Sequence, residues 1–306
     1  MNSFARLSAV VFITLLVGAC NTSADGFDLA NYEAEVMSWR DGRRDRLMAP
    51  TGYLTQAGLF WLDKPVTTFG SSEDNDVLFT EKAASRIGEF RLTAEGVLMA
   101  VEPGVDVRFD DVGVQTILIA DDTTDNPVMI THGPLAWTVI KRDNRYAVRL
   151  RDFEHPVLET FPALEYFPID PEWRVEATFN RYDEPRTVAV DTVIEGLGWN
   201  PESPGVVVFE KDGEEFELEG YSSGEELFFV FGDRSNGRET YPAGRFLYAA
   251  IPEEGDQIVL DFNRSYSPPC AFNDFSTCPV AAPRNRLPIP IAAGELFNRD
   301  AYIASH

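Results

Sequence analysis

Between Asp233 and Glu295 the chain gathers Asp233, Glu239, Tyr241, Arg245, Asp261, Asn263, Arg264, Tyr266, Arg286 and Glu295. Guanidinium and carboxylate groups in this mixture suit two kinds of chemistry. Arg245 and Arg286 can grip an anionic or carbonyl-bearing ligand through paired N–H donors, with Glu239 and Asp261 orienting them. A hydrolase is the alternative, in which two carboxylates whose environments separate their pKa values act as acid and base. A structural role competes with both. The stretch Leu260 to Glu295 is rich in proline, which removes backbone donors, so arginines can be needed simply to satisfy its carbonyls.

Other residue patterns are less specific. Gly220-Tyr221-Ser222-Ser223-Gly224 matches the string of a nucleophile elbow, but an elbow needs a helix after it, and Glu225 to Phe231 reads as a strand; a hairpin turn explains the string. His132 and His155 have the right intrinsic pKa for a general base, yet each stands beside a proline-containing turn. Trp61, Trp137, Trp173 and Trp199 sit inside alternating strand patterns, which favours core packing over a pocket wall. No His, Cys or acidic spacing matches a metal motif, so neither a metal nor a cofactor is expected.

These groups must be positioned by strands. After Pro50, short β-branched and aromatic runs alternate with turn signals, among them Glu95-Gly96, Asp212-Gly213 and Ser223-Gly224, which mark hairpin tips. The reading is a mainly β protein, an antiparallel barrel or sandwich built as two packed β-subdomains. Strands ending at Phe231, running from Phe246 to Ala250 and from Ile258 to Phe262 are expected to pair as a meander that collects the polar cluster. Before them, residues 28–48 place Leu29, Tyr32, Val36 and Trp39 at helical spacing, with Arg40 to Arg46 wetting the helix end. Pro156, Pro162, Pro168 and Pro171 interrupt the strand pattern and divide the N-terminal subdomain (49–160) from the C-terminal one (161–297), followed by a tail over 298–306.

The motifs Gly58-Leu59-Phe60-Trp61-Leu62, Arg149-Leu150-Arg151-Asp152, Trp173-Arg174-Val175, Gly244-Arg245-Phe246-Leu247, Leu260-Asp261-Phe262-Asn263, Pro268-Pro269-Cys270, Thr277-Cys278-Pro279 and Asn285-Arg286-Leu287-Pro288 occur in one order. On them the chain resembles the domain of unknown function 1684 family of bacterial and archaeal proteins over most of residues 40–297. The resemblance implies no activity. Phe69-Gly70-Ser71 and the acidic run after it are loosely similar to the forkhead-associated sandwich, but Ser71 stands where those modules carry their phosphate-reading arginine.

The first residues give an address. Arg6, an apolar run from Ala9 to Val17 and Val17-Gly18-Ala19-Cys20 read as a lipoprotein signal over 1–19, with Cys20 lipidated and a polar tether over 20–27. The apolar run is short of the roughly 20 residues a spanning helix needs. The expected partner is therefore a membrane, held through the N-terminal lipid, with the β-domain facing the periplasm or exterior of a bacterial envelope. There Cys270 and Cys278, the remaining pair, are expected to form a disulfide. A net charge of −24, from 26 basic and 50 acidic residues, disfavours nucleic acid as a partner. The function expected is binding of a small molecule or an envelope partner.

Overall fold

The computed structural model describes residues 27–297. The signal segment, Cys20 with most of the tether, and the tail ending at His306 lie outside the described residues. Within them the protein is mainly β and antiparallel, with one long helix, and no helix there is long and apolar enough to cross a membrane.

The N-terminal half is a sandwich. Its strands are β1 (Gln56–Trp61), β2 (Val66–Gly70), β3 (Val77–Leu78), β4 (Gly88–Thr93), β5 (Gly96–Val101), β6 (Arg108–Phe109), β7 (Val112–Gly113), β8 (Thr116–Ile119), β9 (Met129–His132), β10 (Leu135–Arg142) and β11 (Arg145–Asp152). They form one sheet in the order β1-β11-β10-β9-β6-β7 and a second in the order β3-β2-β4-β5-β8. Alternation does the sorting: Trp137, Val139, Val148 and Leu150 of the first sheet meet Phe69, Phe90, Val97 and Met99 of the second in one core. Phe69 stacks on Phe90 at 4.1 Å and meets the edge of Trp137 at 5.6 Å. Of the four tryptophans expected in the core, Trp137 is fully buried there, while Trp61, Trp173 and Trp199 are half-buried.

The C-terminal half is a curled sheet. It comprises β12 (Arg174–Thr187), β13 (Val190–Asp191), β14 (Gly198–Trp199), β15 (Glu202–Lys211), β16 (Glu214–Ser223), β17 (Glu226–Phe231), β18 (Arg245–Ala250) and β19 (Gln257–Asp261). The large sheet runs β18-β17-β16-β15-β12-β19, and its two edge strands come together, so it nearly closes on itself. This corrects the expected meander: β18 pairs with β17, while β19 crosses back to pair with β12. Turns fall where the glycines predict them, with Asp212 (φ 56°) and Gly213 (φ 80°) between β15 and β16 and Gly224 (φ 62°) between β16 and β17. Gly220 to Ser223 is thus strand and hairpin, with Ser222 paired to Leu227.

Helix α1 (Leu29–Met48) starts at Asp28, whose side chain accepts the Asn31 N–H at 3.1 Å, and ends before Pro50. It lies on the C-terminal half although it opens the chain. Its buried residues are Tyr32, Val36, Arg43 and Leu47, whereas Leu29 is exposed. The stretch expected to be wetted by arginines therefore contributes a buried one, because Arg43 meets a buried carboxylate across the interface.

Candidate functional site

The cluster between Asp233 and Glu295 folds into a closed clasp. Past β19 the described residues contain no strand, so the carbonyls that scattered backbone bonds leave open must be met by side chains. Arg245, at the start of β18, meets two of these carbonyls and ties them to a carboxylate and a hydroxyl. It donates to Asp233 Oδ2 at 2.7 Å, to Ser265 Oγ at 3.1 Å, to Ile291 O at 3.0 Å and to Ala293 O. Both side chains of the Arg245–Asp233 pair are 0% exposed. Burial pulls the Arg245 pKa down, and the Asp233 charge opposes that. Asp233 Oδ1 accepts from Ser235 N at 2.7 Å and Ile291 N at 3.2 Å.

A second link ties the clasp to α1. Arg43 donates from Nε to Glu295 Oε2 at 3.1 Å and from Nη2 to Ser267 O at 2.9 Å, and Ser267 N donates to Glu295 Oε1 at 3.2 Å. Tyr32 donates to Asp261 Oδ1 at 2.8 Å and accepts from Asn263 Nδ2 at 2.8 Å; burial, then the Asp261 charge, push its pKa well above the usual phenol range. Asn263 also holds Asp170 through both its backbone N–H and its carbonyl. Tyr241 donates to Cys270 O at 2.9 Å. Arg286 is exposed and donates to Ala281 O at 3.1 Å, and the Glu239 side chain is exposed. Of the ten residues gathered between Asp233 and Glu295, Tyr266 is the one that borders the large open space between the two halves.

That space is a cleft of about 1020 Å³ between the two halves. Period-two alternation builds its walls. On β17 and β18, Leu227, Phe229 and Leu247 point into the barrel core, which turns Phe228, Phe246 and Tyr248 outward to the cleft. On β11, Val148 and Leu150 enter the sandwich core, which turns Arg149 and Arg151 toward the C-terminal half. Rings then run continuously along one wall: Trp39 to Tyr266 at 6.1 Å, Tyr266 to Phe246 at 5.8 Å, Phe246 to Phe228 at 4.8 Å, and Phe228 to Trp199 at 6.0 Å. Tyr248 lies nearly parallel to Tyr266, 11° apart. Trp199 was expected in the core; it is half-buried here, and the sequence pattern does not reveal that its outer face looks across a gap.

The opposite wall is cationic. Arg142 is neutralised by Asp122 at 2.8 Å and reaches Thr277 Oγ1 at 3.4 Å. The Lys141 ammonium lies over the Tyr146 ring at 5.4 Å. Arg151 donates to Thr55 Oγ1 at 2.9 Å and to Gly52 O. Arg149 differs from these. Among the described residues it forms no hydrogen bond or ion pair, and its Nε is buried. Burial, with repulsion from Arg142 and Arg151, lowers its pKa to about 10, so it stays charged at neutral pH. Two carboxylates, Asp143 and Glu226, stand exposed at the rim.

Cys278 also borders the cleft. Cys270 and Cys278 are buried free thiols here, and Cys270 N donates to Cys278 Sγ at 3.1 Å; the expected disulfide is not formed in this structure, although the two residues are neighbours. Burial raises the Cys278 pKa. Both histidines are engaged away from the cleft: His132 accepts from Ala84 N at 3.2 Å and bonds Asp106 O at 2.8 Å, and His155 accepts from Val157 N at 3.3 Å. Among the described residues no three His, Cys, Asp or Glu side chains converge as metal ligands.

Residues 159–296 match the family described as a protein of unknown function (DUF1684). The match is narrower than the expected 40–297; it takes in the barrel and clasp but leaves out the sandwich. The chain is also similar to an uncharacterized protein of Haloarcula marismortui solved by solution NMR, with 31% identity, covering 47% of this chain and 80% of that one, at a TM-score of 0.39. Among curated proteins none matches.

Proposed function

We propose that this protein is an envelope lipoprotein, tethered through Cys20, whose β-rich body binds a small molecule in the cleft between its halves. The observation that carries the binding reading is the cleft itself: about 1020 Å³, walled by the unbroken run of rings from Trp39 to Trp199. Ligand sites are concave and mostly apolar, with few polar groups, and they favour interfaces between folded units. The tether rests on Val17-Gly18-Ala19-Cys20. In the oxidising compartment that this implies, Cys270 and Cys278 would be bridged, fixing the segment that borders the cleft.

The hydrolase alternative is weaker because the carboxylates it requires are engaged: Asp233 by Arg245, Glu295 by Arg43 and Asp261 by Tyr32.

Titration with the neutral dye N-phenyl-1-naphthylamine tests the binding site. Saturable binding is expected, weakened about tenfold in Trp199→Ala, which is roughly the 1.4 kcal/mol of one ring contact. Binding that does not saturate, or that ignores both Trp199→Ala and Phe228→Ala, would show the cleft is not a site. For the tether, Cys20→Ser is expected to move the protein from the membrane to the soluble fraction; an unmodified Cys20 in the intact mass of the wild type would refute it.

A further inference from the structure

We infer that the cleft selects a small organic anion, with a carboxylate, sulfonate or phosphate group on Arg149 and a flat apolar body against the Trp199–Phe228–Tyr248 wall. This rests on the reading of the cleft as a binding site and adds the class of its ligand.

The inference starts from an anomaly of charge. The chain has 50 acidic residues against 26 basic ones, so a carboxylate is available almost anywhere a cation needs one. The neighbouring cations show this: Arg142 has Asp122, Arg43 has Glu295, and Arg145 at the hairpin end has Asp63 at 3.3 Å. Arg149, whose Nε is buried, has none among the described residues. Taking a guanidinium out of water without a partner is unfavourable, and here two further guanidiniums stand close by. Arg142 and Arg151 are already committed to oxygens of the protein and cannot relieve it.

An oxyanion entering the cleft would relieve it. The planar fork of a guanidinium matches two oxygens of a carboxylate, sulfonate or phosphate, and a partly desolvated setting strengthens that contact. The apolar body follows from the far wall. Tyr53 borders the cleft together with Arg149, Tyr248 and Tyr266, so the cation and the aromatic wall face one space. A peptide or nucleic acid fits this arrangement poorly, since the exposed rim carries Asp143 and Glu226 and the surface as a whole is acidic.

A matched pair of dyes tests it: 1-anilinonaphthalene-8-sulfonate and N-phenyl-1-naphthylamine share one ring system and differ by the sulfonate. With the full chain, the wild type is expected to bind the sulfonate at least about tenfold more tightly than the neutral dye. Arg149→Met should abolish that preference while changing neutral-dye affinity less than about twofold, and Arg149→Lys, which keeps the charge but not the fork, should fall between. Melting curves of the variants accompany the titrations, and if Arg149→Met melts early the Lys variant alone decides. Equal affinity of the wild type for both dyes, or an intact preference in Arg149→Met, overturns the anion inference; the neutral dye binding in a Trp199-dependent way then leaves the binding site standing. If neither dye saturates, the site itself fails and the inference with it.

Discussion

Arg245 is fully buried and Arg149 is half-buried with its Nε out of water, in different parts of one molecule, and they are treated in opposite ways. Arg245 makes four hydrogen bonds inside the clasp, one of them to a carboxylate as deeply buried as itself, and only its Nε lacks a partner. Arg149 makes none among the described residues, although it sits in a chain with carboxylates to spare. The first arrangement is what a strandless, proline-rich segment needs in order to hold a shape. In the second, stability is forgone beside a cleft, which is what the proposed anion site would require. Clustering of polar residues in sequence is therefore a poor guide to a site; the degree to which their hydrogen bonds are already satisfied separates scaffold from site.

The largest effect that would break this contrast lies in the clasp. Arg245→Ala leaves Asp233 buried with its charge uncompensated and strips Ile291 and Ala293 of donors, so equilibrium denaturation is expected to show a loss of about 3–5 kcal/mol. A variant as stable as the wild type would mean that Arg245 is not structural.

A smaller loss is expected at Gly294, where the clasp closes most tightly. The residue has φ 81°, and an added Cβ would lie 2.8 Å from Phe262 O and 2.5 Å from Ser265 O, both backbone atoms. Gly294→Ala combines a left-handed backbone with this collision and should cost on the order of 1–3 kcal/mol in the same measurement. Neutral-dye affinity of the folded protein should not change, since the clasp is separate from the cleft.

The smallest effect has the opposite sign and sharpens the contrast most. Arg149→Met removes an unpaired charge and keeps an apolar stem, so the variant is expected to match or exceed the wild type, by up to about 2 kcal/mol at neutral pH. The pH dependence fixes the cause. Because the folded pKa of Arg149 is depressed to about 10, its penalty is present throughout the neutral range and is relieved as pH rises through that value and the folded protein releases the proton. The advantage of Arg149→Met should hold below about pH 9 and shrink above about pH 10. An advantage independent of pH would assign it to packing instead of charge.

Local physics made much of the fold legible in the sequence. Alternation in Val148-Arg149-Leu150-Arg151 says that the arginines leave the core, Asp212, Gly213 and Gly224 turn hairpins because they adopt positive φ readily, and Asp28 with Pro50 bounds the helix. These signals act over a few residues, so a sequence states them directly. What lies outside a core face is decided elsewhere. Arg43 reads as the wet end of a helix and becomes a buried ion pair because Glu295, 252 residues later, is brought beneath it. Arg245 reads as a ligand donor and is consumed by carbonyls that only the folded tail places within its reach. Arg149 and Trp199 read as an ordinary surface cation and an ordinary core ring, and they line one cleft because the sandwich and the barrel pack with a gap between them. Burial and pairing over such separations depend on how the two halves meet, and that is a property of the tertiary structure alone.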